Sequence, residues 1–175
     1  MRNDPRVLSH GPVRARVGAC EVTIPYQPAA VWVQAVRDLP GLVSRLASTE
    51  AREVLLDQIM DHPTAVADME REAHRILSEV SGWKWWEAVK LINTSTGREV
   101  LGRLVLAGVD PWQCTLGEWC AATYALCVKG ADAQARLKTD FSLSLPPPGV
   151  EDGWDDDGDD AEATMSAVQA LMGQG

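Results

Sequence analysis

Apolar and polar residues alternate between positions 12 and 26 of the chain. Every second residue is apolar over 13–17, and every second residue is again apolar over 20–26 but in the opposite phase. Strict alternation is typical of a strand with one buried face. Because the phase changes at Gly18, as a tight turn or a bulge requires, the pattern predicts one bent strand or a small hairpin.

Helical periodicity dominates the chain from residue 28 to about residue 140. Thr115 and Glu118 form the T-x-x-E pattern of a capping box. Glycines at 41, 82, 108 and 130 stand where helices commonly end. Apolar residues three and four apart predict helices over about 28–38, 42–46, 50–61, 64–81, 83–92, 100–107, 115–129 and 132–140.

The same spacing predicts which side of each helix faces the core. The clearest amphipathic helix is the one over 64–81, because its apolar residues recur regularly at helical spacing. The predicted inward residues, helix by helix, are Val54, Leu55, Gln58 and Ile59; Val66, Met69, Ala73, Ile76, Leu77 and Val80; Trp85, Ala88, Val89 and Ile92; Val100, Leu101, Leu104 and Val105; Leu116, Trp119, Cys120, Thr123 and Cys127.

The two ends of the chain differ from this helical region. Three prolines at 146–148 favour extended polyproline geometry. The acidic, Gly-rich stretch after them has little to bury and is predicted to be disordered, and residues 161–172 suit a short helix. We therefore predict a flexible leader over 1–11, a compact, mainly α domain with a short N-terminal β strand or hairpin over 12–145, and a disordered acidic tail over 146–175.

The net charge of −9 is concentrated near the C-terminus. Eight of the 25 acidic residues and none of the 16 Lys and Arg residues lie from Phe141 onward, so the first 140 residues carry 17 acidic and 16 basic residues. A nucleic-acid-binding protein normally has a basic patch, and a membrane helix needs about 18 consecutive apolar residues. The sequence has neither, so we expect no binding to nucleic acid or membranes. No signal peptide is recognisable, which predicts a cytoplasmic protein.

Residue patterns with known chemistry are absent from the sequence. The cysteines at 20, 114, 120 and 127 form no C-x-x-C pair, and the histidines at 10, 62 and 74 are scattered far from them. A zinc site needs clustered ligands, so we expect four reduced, mostly buried thiols. The sequence contains no Gly-rich phosphate loop, no G-x-S-x-G motif and no calcium loop. We expect no enzyme activity, no catalytic residue, no metal site and no cofactor.

Three segments in the second half of the chain resemble the tail assembly chaperones of long-tailed actinobacterial phages and prophages. They are Trp-Trp-Glu-Ala-Val-Lys-Leu-Ile at 85–92, Leu-Gly-Arg-Leu-Val-Leu-Ala-Gly-Val-Asp-Pro at 101–111 and Leu-Gly-Glu-Trp-Cys-Ala-Ala-Thr-Tyr-Ala-Leu at 116–126. The stretch from 141 to 149, which leads through the prolines into acidic residues, is also similar. The resemblance implies a protein that accompanies the tape measure protein during tail assembly and is absent from the mature virion. It also implies that a longer, frameshifted form is often made in this family.

Tryptophan is the most informative residue type for a binding surface. The chain has seven tryptophans, and aromatic residues are enriched at protein interfaces. At about 100° per residue, Trp83 and Trp86 lie beside Lys90 on a different helix face from Trp85. Either another element of the fold or a partner protein must cover that face. Our hypothesis is a partner-binding surface formed by Trp83, Trp86, Lys90 and Trp112.

The sequence supports one main function and two alternatives. The main prediction is a chaperone that binds the tape measure protein, with self-association also possible. The first alternative is a permanent structural component of the phage particle, such as a head–tail connector. The second is an acidic inhibitor that mimics nucleic acid, which is disfavoured because the carboxylates cluster in a Gly-rich tail and not on a folded face.

Overall fold

The computed structural model describes residues 11–62 and 64–150 of the chain. In this part the protein is mainly helical, with a two-stranded antiparallel hairpin at the N-terminal side. This confirms the predicted mainly α fold with a short β element. The predicted leader (except Gly11), the acidic stretch and the predicted helix over 161–172 lie outside the described residues.

The hairpin consists of β1, Val13–Val17, and β2, Cys20–Ile24. Val13 pairs with Ile24 and Val17 with Cys20, and Gly18 adopts a φ of 58° in the turn between them, a conformation that favours glycine. The hairpin is therefore the correct one of the two predicted forms. One face of it is buried, through Val13, Ala15, Val17, Val22 and Ile24.

Eight helices follow the hairpin in the described part of the chain. They agree with the predicted segments in number and order, and most differences at the ends are a few residues. Their bounds are α1 Ala29–Ala35, α2 Leu42–Leu46, α3 Thr49–Asp61, α4 Ala65–Ser81, α5 Trp85–Ser95, α6 Arg98–Leu106, α7 Leu116–Val128 and α8 Ala133–Ser144.

Helix α4 is the central element, since it packs against β1, α2, α3, α5 and α7. Its inward stripe agrees with the prediction except at Val66, which is 48% exposed. Ala65 is buried in its place, so the stripe is shifted at the first turn of the helix. Gly82 ends α4 with a left-handed φ of 70°, and its N–H donates to Ser78 O, as a glycine C-cap does.

Several predicted inward residues are exposed in the structure. Among the described side chains of α3 only Leu55 is fully buried, and Val54 is 47% exposed. In α7 the Thr115–Glu118 capping box is present, but Cys127 is exposed. Helix α8 extends past its predicted end and has no buried residue. It lies on the surface of α5 and α7, its two neighbours.

The buried residues form two clusters. The larger cluster joins the inward face of the hairpin to helices α1 to α5 and α7, and the smaller one consists of Ala29, Leu104 and Trp119. Trp119 Nε1 donates to the buried Ser95 Oγ at 2.8 Å. This hydrogen bond ties α7 to the end of α5 and satisfies a donor that would be costly to leave unpaired.

The chain divides into two units, Met1–Ser144 and Leu145–Gly175. The first unit contains the hairpin and all the described helices. In the second unit the structure describes 145–150, where Val150 N donates to Pro147 O at 3.2 Å across a turn. No helix in the described parts of either unit is long and apolar enough to cross a membrane.

Candidate protein-binding surface

The α5 residues of the predicted surface contact the end of α8. Trp86 is 3% exposed, and its Nε1 donates to Ser144 O at 3.2 Å. Lys90 Nζ donates to Ser142 O at 2.7 Å and to Leu143 O at 3.3 Å. Burial lowers the pKa of Lys90, and the charge of Glu87 opposes that shift.

These contacts give α8 a C-terminal cap that comes from another helix. The last four carbonyl groups of an α-helix have no partner within the helix. In α8 Phe141 O accepts from Ser144 Oγ at 3.0 Å, and the other three carbonyls accept from Lys90 and Trp86. Trp86 and Lys90 therefore have a structural role in the first unit.

This placement corrects the hypothesis for Trp86, because its ring is buried and is not part of an exposed surface. Trp83 is half-buried and packs at a tilted angle on Tyr124, with 5.4 Å between ring centroids. Trp85, predicted to be the core residue of the three, instead stacks on His74 with ring centroids 3.7 Å apart. The buried side of α5 is therefore rotated by about one residue from the predicted one. The reason is that α8 covers the face of α5 on which Trp86 lies.

Trp112 is the predicted site residue that the structure exposes most, at 63%. It follows α6 in a turn where its backbone N–H donates to Asp110 Oδ1 at 2.9 Å. This hydrogen bond fixes the turn without using the ring. The indole is therefore held at the surface with its apolar area in contact with water.

Helix α6 adds three exposed apolar side chains to Trp112. Leu101 is 39%, Val105 60% and Leu106 89% exposed, and Leu104 alone in this helix is fully buried. A Cβ added to Gly102 would meet no atom within 4 Å, so the backbone there is open to close approach. We name Leu101, Val105, Leu106 and Trp112 the α6–Trp112 surface.

The sequence predicted Leu101 and Val105 as core residues and did not single out Leu106. A signal was present: Leu104, Val105 and Leu106 are consecutive, and one helix face cannot bury three consecutive residues. At least one of them had to point to solvent or to a partner.

Helix α3 also exposes large apolar residues, but in a different setting. Leu56 is 52% and Met60 86% exposed. Helical spacing places the exposed carboxylates of Glu53 and Asp57 on the same side. The α6–Trp112 surface carries an aromatic anchor of the kind that dominates interface energies, and α3 does not.

The four cysteines are free, as predicted, but only Cys120 is buried, so the prediction of mostly buried thiols is wrong. Burial raises the pKa of Cys114 to about 11 and that of Cys120 to about 12. A raised pKa keeps a thiol protonated and weakly nucleophilic. In the residues that the structure describes, no group of three or more His, Cys, Asp or Glu side chains is placed to hold a metal ion.

Comparisons of the chain with family models, with curated proteins and with solved structures find no match. The resemblance of roughly residues 83–160 to phage tail assembly chaperones stays a prediction. The structure adds the observation that Trp112 and three apolar side chains of α6 are exposed.

Proposed function

We propose that the protein is a non-catalytic chaperone that binds the tape measure protein during phage tail assembly. The observation that carries the proposal is the α6–Trp112 surface, whose residues lie within the stretch of roughly 83–160 that resembles this family. Its four large apolar side chains are exposed within twelve consecutive residues of the chain, and clustered exposed apolar residues mark sites of protein–protein contact. The partner that suits it is a long helical chain with apolar faces exposed before the tail tube surrounds it.

The energetics suit a contact that forms and is later broken. Burial of a large apolar side chain stabilises a contact by about 1.5–3 kcal/mol, part of which is lost to the cost of association. Four such side chains give each copy a modest affinity. Many copies along one partner chain cover it, and each can still leave when the tube assembles.

Charge supports the same function. The first 140 residues are close to neutral, and the acidic residues lie near the C-terminus. Like charges on neighbouring copies repel one another and keep a complex in solution. This proposal places the protein in the host cytoplasm, bound to its partner, and not in the finished virion.

The test is a pair of matched double variants. Leu106→Ala with Trp112→Ala removes the most exposed side chains of the α6–Trp112 surface. Leu56→Ala with Met60→Ala removes a similar exposed apolar area from α3. All four side chains are exposed, so both variants should keep the circular dichroism spectrum and melting temperature of the wild type.

We expect the α6 variant to bind a purified tape measure fragment about 100-fold more weakly than the wild type. On co-expression the tape measure protein should move to the insoluble fraction. The α3 variant should bind and solubilise the partner as the wild type does. Equal binding by the two variants would refute this surface, and failure of the wild type to bind would refute the function.

Mass spectrometry of purified virions separates the chaperone from a permanent structural component. A chaperone that leaves after assembly should be absent from virions and present in infected-cell lysates. A stoichiometric amount in virions would favour the connector function.

A further inference from the structure

Helix α8 is attached to the first unit differently from α4, α5 and α7. It has no buried residue, whereas those three helices each contribute at least five. Every buried residue among those described lies between Val13 and Thr123. Helix α8 therefore covers part of the first unit without adding a fully buried residue to its core.

Polar contacts near its C-terminal end hold α8 in place. Tyr124 Oη donates to Asp140 Oδ1 at 2.6 Å, and Lys90 and Trp86 donate to the last three carbonyl groups. The one α8 side chain that packs against the larger buried cluster is Leu143, which is partly buried. These contacts lie within the last two turns of the helix.

The C-terminal half of α8 does not fill the space between itself and its neighbours. An open cleft of about 630 Å³ separates it from α5 and α7. The cleft is lined on the α8 side by Lys138, Thr139, Ser142 and Leu143 and on the other side by Lys90, Leu91, Asn93, Thr94 and Cys127. A helix packed as tightly as a core element would leave no such space.

We propose that the face of α5 and α7 beneath α8 is a helix-binding groove, and that α8 is its displaceable occupant. The groove recognises the C-terminal end of a helix. Lys90 and Trp86 bind the terminal carbonyl groups, Tyr124 binds a carboxylate, and the adjoining apolar surface takes an apolar side chain three residues after that carboxylate. The occupant from outside is a partner helix that ends in the same arrangement, acid-x-x-apolar, as Asp140 and Leu143 do.

This inference is independent of the proposed function, since it concerns a different face from the α6–Trp112 surface. It gives the predicted residues Trp83, Trp86 and Lys90 a conditional role. With α8 in place Trp86 is covered, and with α8 displaced it faces the incoming helix. A partner helix with the same arrangement would form the same hydrogen bonds to Trp86, Lys90 and Tyr124.

Two variants of the full chain distinguish the contribution of the groove from that of α8. Asp140→Ala weakens α8 and leaves the groove intact, whereas Lys90→Ala weakens the groove itself. Both should accelerate hydrogen exchange of the amides over 135–144 by about ten-fold, with α4 and α7 unchanged. In the wild type α8 should already exchange faster than α7, because it opens locally. Exchange of α8 and α7 at one common rate would overturn the proposal.

The second measurement uses a synthetic peptide with the sequence of residues 132–144, amidated at its C-terminus, added to each full-length protein. Asp140→Ala should bind it more tightly than the wild type, because its own α8 competes less well. Lys90→Ala should bind the peptide more weakly than Asp140→Ala does. Its own α8 is equally weakened, but its groove has also lost a donor to the terminal carbonyl groups. A peptide with Pro in place of Arg136, which cannot form the helix, should not bind. Lack of binding to Asp140→Ala, or equal binding of the two peptides, would refute the groove.

Discussion

Three tryptophan rings are buried in the first unit, and each indole N–H has an oxygen acceptor. Trp32 Nε1 donates to Gln27 O at 3.2 Å, Trp86 to Ser144 O and Trp119 to Ser95 Oγ. Buried tryptophans normally satisfy this polar group. At the residue scale these three rings have structural contacts, and Trp112 is the most exposed tryptophan among the described residues.

His74 is a partly buried titratable side chain that links the stability of the protein to pH. It stacks on Trp85, and its buried Nε2 has no hydrogen-bond partner in the described part of the chain. The imidazolium form needs acceptors for both nitrogens. Burial therefore lowers the pKa of His74 below its usual 6.5, and the nearby Glu70 opposes the shift.

We expect the folded protein to lose stability as the pH falls below about 6.5. The folded-state pKa is lower than the unfolded-state pKa, so in this range the unfolded chain binds more protons and is favoured. Well above pH 6.5 both states are neutral at His74 and the effect fades. Urea unfolding at pH 7.5 and pH 5.5 measures the change in the free energy of unfolding.

The matched control is His74→Phe, which keeps a flat ring against Trp85 but cannot titrate. Other acidic and basic groups act equally in both proteins, so their contribution cancels. The wild type should lose more stability between the two pH values than the variant does. Equal losses would mean that His74 protonates without cost in the folded state.

At the element scale, alanine substitution at two glycines is expected to change the stability in opposite directions. Gly82 ends α4 with a φ of 70°, whereas Gly102 lies within α6 with open space around its missing Cβ. Alanine at Gly82 should lower the free energy of unfolding by about 1–2 kcal/mol, because its Cβ is strained in the left-handed region. Alanine at Gly102 should raise it by about 0.5–1 kcal/mol, because it favours the helix.

Chemical denaturation of the two single variants measures both effects with the same substitution. Destabilisation by Gly102→Ala would show that a neighbour occupies the space around α6. A neutral Gly82→Ala would show that α4 ends without the left-handed residue.

At the scale of the whole molecule, the residues of the buried core and the residues that carry most of the net charge lie in different parts of the chain. All the buried residues among those described lie between Val13 and Thr123, whereas all eight acidic residues after Phe141 lie beyond Val150. Deletion of residues 146–175 changes the net charge from −9 to −1. A protein with little net charge and an exposed apolar surface tends to self-associate.

We expect this deletion to leave the melting temperature of dilute protein within about 2 °C of the wild type, because the deletion removes no group from the described core. The truncated protein should associate at high concentration and low salt, as measured by light scattering. Leu106→Ala with Trp112→Ala in the truncated chain should reverse the association. A large drop in melting temperature would show that the deleted residues stabilise the fold.

The sequence by itself determined the alternating strand pattern with its change of phase at Gly18, the order of the helices, the capping box at Thr115 and the stop at Gly82. Each of these depends on residues close together in the chain. Alternation fixes the buried face of a strand, a side-chain oxygen binds an N–H three residues away, and a glycine relieves local backbone strain. The charge division is also a property of the chain alone.

Only the tertiary structure decided which faces of α5 and α6 are buried. Helix α5 presents apolar residues on more than one side, so its periodicity allows more than one inward stripe. Contact with α8 selects the stripe that contains Trp86, and the absence of a described neighbour over Leu106 leaves that side of α6 exposed. Sequence spacing fixes the relative positions of residues on one helix. Which of them meets another helix depends on contacts between residues some 50 positions apart, such as Trp86 with Ser144, which no local pattern encodes.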